Sequence, residues 1–254
     1  MILVIAGTRD GRELAADLAR QGWPVTVTVV SDYGRDLAAA ERLTVATGPL
    51  DAAGLADLIH RQGVRTVVDA SHPYAAGASC SAQAACAACG IPYLRYERPA
   101  APLPAYDKLN LVAGPEAAAK LAAGLGKVIF LTTGSRSLAV FKQEPLLLGH
   151  RLIARVLPEP EVIAACRRLG FAPRDIVALQ GPFSRELNMA LFREFGSDVV
   201  VTKNSGQIGG SDSKFSAAVE LGLHLVVIDR PAVEYGRLAA DSAAVGKFIE
   251  EVFQ

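Results

Sequence analysis

Val25-Thr26-Val27-Thr28-Val29-Val30 is β-branched at every position. Such side chains are stiff at χ1 and favour extended backbone, and an unbroken run of them reads as a strand covered on both faces, as in a parallel sheet. The neighbouring sequence repeats the theme. Upstream, Ile2 to Ala6 is a short apolar run ended by Gly7, and Leu14, Ala15, Leu18 and Ala19 mark a helix between the two strands. Downstream come a weaker strand at Leu43 to Ala46 and a helix that Asp51 can cap, running to about His60. Thr66 to Ala70 is a further strand, an Ala-rich helix carries on to Cys89, and Pro92 to Arg95 is another strand. Strand, helix, strand in repetition implies parallel strands joined by right-handed crossovers.

Pro99, Pro102 and Pro104 interrupt the pattern, which then restarts. Strands are expected at Leu109 to Val112, Lys127 to Thr132, His150 to Val156, Asp198 to Thr202 and Leu223 to Ile228. Helices are expected at Pro115 to Ala123, Glu159 to Leu169, after the cap Ser184, and from Ser211 to Leu221. The fold class is α/β, with two Rossmann-like lobes of parallel sheet flanked by helices. The expected divisions are an NAD(P)-binding lobe over 1–98, a Pro-rich linker over 99–108 and a substrate-binding lobe over 109–254.

Lys+Arg and Asp+Glu each number 26 among 254 residues. A net charge of zero argues against a general nucleic-acid binder, which carries a basic excess. No apolar run approaches the ~18 residues of a membrane-spanning helix. The N-terminal apolar run lacks a basic region before it and reads as a buried strand rather than a signal peptide. The expectation is a cytoplasmic protein with no membrane or nucleic-acid partner, acting as a monomer. Cys86 and Cys89 form a C-x-x-C pair, but near the end of a helix, where the dipole does not activate a thiol. They read as small packing residues, and no metal site is expected.

Ligands of open parallel sheets bind beyond the carboxyl ends of the strands. Gly7-Thr8-Arg9-Asp10-Gly11-Arg12 lies at one such end and opens a helix, where free N–H groups favour phosphate. It is not a full G-x-G-x-x-G pattern, and an ordinary strand-to-helix turn is the alternative. Ser31-Asp32-Tyr33-Gly34-Arg35 follows the second strand, where an adenosine ribose lies. Ser31 and Arg35 suit a 2′-phosphate and hence NADPH, whereas Asp32 suits NAD; a solvated turn is the other reading. In Ser71-His72-Pro73-Tyr74, Pro73 holds His72 extended across a strand end, where it can donate hydrogen bonds or shuttle a proton. The alternative is a helix-capping His. Arg95, Glu97 and Arg98 are either carboxylate receptors or a solvated charged run. Lys203-Asn204-Ser205-Gly206, followed by Gly209-Gly210 and a helix start, suits an anion.

Together these turns resemble the precorrin-6A reductase family. Ala6 to Arg12 matches its G-G-T-x-E-G-R turn, Asp69 to Ala75 its D-A-[ST]-H-P-[FY]-A, and Pro92 to Pro99 its P-Y-L-R-x-E-R-P. Gln180-Gly181-Pro182-Phe183-Ser184 with Asn188 matches Q-G-P-F-S-x-x-x-N. Val201 to Gly206 with Gly209, Gly210 and Lys214 matches V-T-K-x-S-G-x-x-G-G-T-x-x-K. The resemblance spans essentially the whole chain. Ala6, Asp10 and Ser211 depart from the commoner Gly, Glu and Thr.

The resemblance implies NADPH-dependent reduction of one double bond of precorrin-6A to precorrin-6B in cobalamin biosynthesis, with no metal required. The expected cofactor-binding residues are Gly7, Thr8, Arg9, Asp10, Ser31, Arg35 and Ser71. His72, Tyr74 and Lys203 are the expected catalytic residues. The carboxylates of the anionic tetrapyrrole would be met by Arg12, Arg95, Arg98, Ser135, Asn204, Ser205, Gly206, Lys214 and Arg230. Two alternatives stand beside this: a reductase of the cobalt-containing macrocycle, and a non-enzymatic NADPH-binding regulator.

Overall fold

In the computed structural model, which describes residues 1–29, 32–40, 43–47, 51–206 and 209–254, the first part of the chain alternates strand and helix. Its elements are β1 (Ile2–Ile5), α1 (Arg9–Arg20), β2 (Val25–Val29), α2 (Asp32–Ala40), β3 (Thr44–Thr47), α3 (Ala52–Gln62), β4 (Thr66–Asp69), α4 (Ala76–Cys89) and β5 (Tyr93–Tyr96). The alternation resumes with β6 (Leu109–Val112), α5 (Pro115–Ala123), β7 (Val128–Leu131), α6 (Leu138–Gln143), β8 (Arg151–Val156), α7 (Pro160–Arg168), β9 (Ile176–Ala178), α8 (Arg185–Glu194), β10 (Val199–Lys203), α9 (Ser211–Glu220) and β11 (His224–Ile228). A two-residue strand, β12 (Leu238–Ala239), and α10 (Ser242–Phe253) end the chain.

Local chemistry sets several of these boundaries. Asp51 accepts from Gly54 N at 2.8 Å and Ser184 from Leu187 N at 3.2 Å, so both expected caps form. Asp241 caps α10 in the same way through Ala244 N, at 2.8 Å.

Two units result, Met1–Pro99 with Ala232–Gln254, and Ala100–Pro231. The first contains a parallel sheet in the order β12-β5-β4-β1-β2-β3. Successive residues of β1 enter opposite layers. Ile2 and Val4 pack with Leu14, Leu18, Val245, Phe248 and Ile249 of α1 and α10. Leu3 packs with Leu55, Leu58 and Ile59 of α3 and with Ala82, Ala85 and Cys86 of α4. This two-faced burial is what the continuous apolar strands require.

The sequence places 109–254 in the second unit, and its last stretch is a correction. β12 pairs with β5, Leu238 opposite Arg95 and Ala239 opposite Tyr96. The apolar face of α10 fills the layer over β1, and Trp23 packs on Phe253 with ring centroids 5.1 Å apart, the rings tilted by 54°. The amphipathic pattern of α10 demands a sheet to cover but carries no mark of which one.

The second unit has the order β6-β11-β10-β7-β8-β9, again all parallel. Its core centres on Phe130, with Phe192 and Phe195 edge-on at 5.1 and 5.6 Å, and Ile153, Val200 and Phe215 around them. No helix among the described residues is long and apolar enough to cross a membrane.

Candidate functional site

Each sheet has one position where the chain reverses its direction of growth. In the first, β1 lies between β2 and β4: the chain moves outward to β2 and β3, then crosses back to β4. The turns after β1 and β4 therefore diverge and leave a crevice at their carboxyl ends. Gly7 sits on one side of it, exposed, and a Cβ added there would lie 3.7 Å from both His72 N and Ser71 Cα. The two turns singled out in the sequence are thus neighbours.

The β1 turn is built to start a helix closely against the sheet. Thr8 caps α1, its hydroxyl accepting from Gly11 N at 3.2 Å and donating to Ala70 O at 3.3 Å. A Cβ on Gly11 would lie 2.8 Å from Ala70 O and 3.0 Å from Ala70 Cβ, so only glycine fits. That close helix-to-strand approach is the role the last glycine plays in dinucleotide-binding turns. Asp10, also in the first turn, would repel a phosphate, but it is buried and ion-paired with Arg98. Two expectations change here: Asp10 and Arg98 engage each other, and neither presents its charge to a ligand as a lone group. Arg9 is exposed and bonds Glu13 at 2.7 Å, one turn on. Arg12 is half-buried on α1. The residues of this turn fit a nucleotide phosphate. Gly11→Ala is expected to destabilise the protein by about 1–3 kcal/mol, as overpacking does, and to weaken nucleotide binding; urea unfolding and a fluorescence titration of NADPH measure the two effects.

The β4 turn rests on a buried polar network. Asp69 is fully buried, and its Oδ1 accepts from Ser71 N at 3.0 Å while Oδ2 accepts from the hydroxyls of Ser79 and Tyr93 at 2.6 and 2.8 Å. Arg95, also fully buried, lies 3.1 Å from Asp69 Oδ1, donates to Ser71 Oγ at 2.9 Å and pairs with Glu97 at 2.9 Å. Tyr235 stacks over its guanidinium, 5.1 Å from ring centroid to Cζ. Burial opposes the Arg95 charge, but Asp69 and Glu97 outweigh it and raise its pKa. Burial and the Asp69 charge push the Tyr93 phenol up. Arg95, expected at the substrate, is instead internal scaffolding whose donors are directed into the protein.

Above this scaffold His72 and Tyr74 are half-buried, their rings 5.7 Å apart. His72 Nδ1 accepts from Tyr74 N at 3.2 Å, so a neutral ring carries its proton on Nε2. Ser31 lies outside the described residues. Arg35 is exposed on α2, 3.8 Å from Asp36, on a helix rather than the polar turn expected there. Cys86 is buried, its thiol pushed up to about 12 by desolvation, and so is inert near neutrality.

In the second unit the reversal falls between β7 and β10. The turn after β7 carries half-buried Ser135 and exposed Arg136. The turn after β10 starts from Lys203, whose pKa is lowered by burial and by the nearby Arg136 charge. Asn204 is a staple: Oδ1 accepts from Ala101 N at 2.9 Å and Nδ2 donates to Ala101 O at 2.7 Å. Ser205 N donates to Ser211 Oγ at 2.9 Å, and Gly206 turns at φ 81. Arg230 Nε donates to Asn204 O at 3.1 Å. Asn204 and Ser205 are both buried, so this expected anion loop is largely bonded within itself.

Lys214, from the first turns of α9, is 7% exposed, and Arg155 of β8 is 8% exposed. Arg155 did not emerge from the sequence. Its signal was a charge inside the otherwise apolar strand Leu152 to Val156, a position charges occupy only with a reason.

A family model described as precorrin-6x reductase CbiJ/CobK matches residues 1–250. A cobalt-precorrin-6A reductase of Priestia megaterium is 44% identical over 237 residues, covering 93% of this chain and 92% of its own. A precorrin-6A reductase of Rhodobacter capsulatus is 34% identical, covering 91% and 88%. The solved structure titled CobK precorrin-6A reductase matches with a TM-score of 0.78 at 32% identity, over 99% of this chain and 96% of that one.

Proposed function

The chain belongs to the precorrin-6x reductase family, and on that premise we propose that it reduces one macrocycle double bond of precorrin-6A with NADPH, giving precorrin-6B in cobalamin biosynthesis. The observation that carries this reading is the adjacency, in one unit, of a phosphate-type turn at Gly7 to Gly11 and a turn presenting His72 and Tyr74. The nicotinamide supplies the hydride when bound. Gly7, Thr8 and the start of α1 would hold the dinucleotide's phosphates through backbone N–H groups. His72 and Tyr74 hold donors at the β4 turn for the proton that must join the neighbouring carbon, and Lys203 supplies a cation in the second unit. Arg12, Ser135, Lys214 and Arg230 serve the substrate's acetate and propionate groups, and the reading places the protein in the cytoplasm as a monomer.

The preference for NADPH rests on Arg35. It lies on α2, the helix after β2, which neighbours β1 in the sheet, and that is where the adenosine ribose and its 2′-phosphate lie in this topology. Arg35→Ala is expected to raise the KM for NADPH about 10-fold, a bidentate phosphate contact's share, and to leave the KM for NADH within about 2-fold. Oxidation is followed at about 340 nm with precorrin-6A present and absent. Oxidation that does not depend on the macrocycle, or an equal effect on both cofactors, overturns the respective half of the proposal.

A second reading is favoured by one observation: the relative that is 44% identical bears the cobalt-precorrin name. In that case the same residues bind the cobalt-loaded macrocycle for reduction by the nicotinamide, and parallel assays with metal-free and cobalt-loaded substrate separate the two.

A further inference from the structure

Lys214, in the first turns of α9, is a buried cation. It is 7% exposed, and among the described residues its amine has neither a hydrogen-bond acceptor nor an ion-pair partner. Arg155, 8% exposed, is held only by neutral groups: Nη1 donates to Asn188 Oδ1 at 2.7 Å, and the guanidinium lies 4.6 Å from the Phe183 ring centroid. Lys203 at the end of β10 is close enough for its charge to act on Lys214, as is that of Arg155. Asp212, exposed in the first turn of α9, partly offsets them.

Such an arrangement is unfavourable by itself. A buried cation loses hydration and regains the loss only through an opposite charge. Lysine has an exit that arginine lacks, because it can release its proton. Burial, and then Arg155, pull the Lys214 pKa down to about 7. Arg155 is also pulled down by burial, but to about 10, so it keeps its charge. Two nine-tenths-buried cations, each acting on the other through its charge and neither paired with a carboxylate, lack the opposite charge that would offset their burial.

We propose that Lys214 and Arg155, with Lys203 beside them, form the receptor for one oxyanion of the bound ligand, a carboxylate or a phosphate. The proposal deepens the reductase reading, in which the substrate carries carboxylates and the cofactor phosphates. It has a consequence that simple charge pairing lacks. Above about pH 7 the amine of the unliganded protein is largely neutral, and an arriving anion restores its charge, so binding draws one proton from solvent onto Lys214 Nζ.

The test is calorimetry of the wild type, Lys214→Met and Arg155→Gln at about pH 8 in two buffers of different ionisation enthalpy. The probes are inorganic phosphate, adenosine 2′,5′-bisphosphate, and uroporphyrin, a tetrapyrrole bearing acetate and propionate groups. At least one probe is expected to bind the wild type with proton uptake. Lys214→Met should lose that uptake and bind the probe about 10- to 100-fold more weakly, the loss of a charge-assisted hydrogen bond. An effect confined to uroporphyrin makes the anion a substrate carboxylate, and one confined to the phosphates makes it the cofactor's; both uphold the receptor.

Folding is controlled by the sign of the stability change. Removing a buried amine that must give up its proton on folding should raise the Tm of the unliganded protein, whereas loss of a structural lysine would lower it. A lower Tm together with weaker binding overturns the proposal. So does unchanged binding in both variants, or failure of the wild type to bind any of the three. If no tetrapyrrole is reduced but the probe dependence holds, the reductase reading fails and the receptor stands. Normal turnover by Lys214→Met with unaltered proton uptake overturns the receptor alone.

Discussion

Asp69→Asn is expected to destabilise the protein by about 3–5 kcal/mol, the cost of breaking a buried ion pair by removing one partner. Asp69 gathers four donors: Ser71 N, the hydroxyls of Ser79 and Tyr93, and the Arg95 guanidinium. An asparagine keeps the volume but not the charge. Its NH₂ must also replace one acceptor oxygen, setting donor against donor at one of these contacts. Arg95 would keep Glu97 as its one carboxylate while remaining fully buried. Against a typical total stability of about 5–15 kcal/mol this is a large fraction. Urea unfolding measures it, as a lower midpoint at unchanged slope. The same network fixes Ser71 from two sides, so the variant should also lose turnover through a loosened Ser71-to-Tyr74 turn. A midpoint shift worth less than about 0.5 kcal/mol, the scale of a surface pair, would show that the pair has no such structural weight.

This network also shows what could and could not be seen in the sequence. Parallel α/β architecture was legible because buried strands need uninterrupted apolar or β-branched runs, and β1, β2, β7, β10 and β11 all have them. The turns at Gly7, Ser71 and Asn204 were legible because strand ends must bear the polar and glycine residues that strands exclude. What a side chain does at such an end was not. Arg95 and Arg98 look like presented cations in a linear reading, yet Asp69 and Asp10, 26 and 88 positions away along the chain, turn them inward. Sequence distance hides such partners, and only the crossovers bring them together. The same holds for 232–254. β12 is two residues long, too short to carry a period, and its place beside β5 is set by α10 covering β1. α2 was read as a polar turn because Gly34 and the charges of 32–36 mask a helix whose mean apolar character is weak. Arg155 and Lys214 reverse the usual error: their burial, not their exposure, is what makes them candidates.

His72→Ala should lower kcat by about 10²–10⁴, the range a positioned proton donor contributes, with the Kd for NADPH within about 2-fold of the wild type. The separation follows from the geometry. The phosphate-type turn is made by Thr8, Gly11 and the start of α1, and these bond to each other and to Ala70 rather than to the imidazole. His72 contributes instead at the β4 turn, where the bond from Tyr74 N to Nδ1 orients the ring and puts the proton of a neutral ring on Nε2. Removing the ring therefore takes away the donor and one acceptor for Tyr74 N, while Asp69 and Arg95 still hold Ser71. His72→Asn, which can offer an acceptor to Tyr74 N but not an equivalent acid, should keep the turn folded and remain slow. Single-turnover oxidation of bound NADPH measures the chemical step, and a fluorescence titration measures cofactor affinity. If His72→Ala loses affinity for NADPH and keeps its single-turnover rate, the imidazole belongs to the cofactor site. If His72→Asn recovers full turnover, the ring serves only to shape the turn, and the proton comes from Tyr74, Lys203 or water.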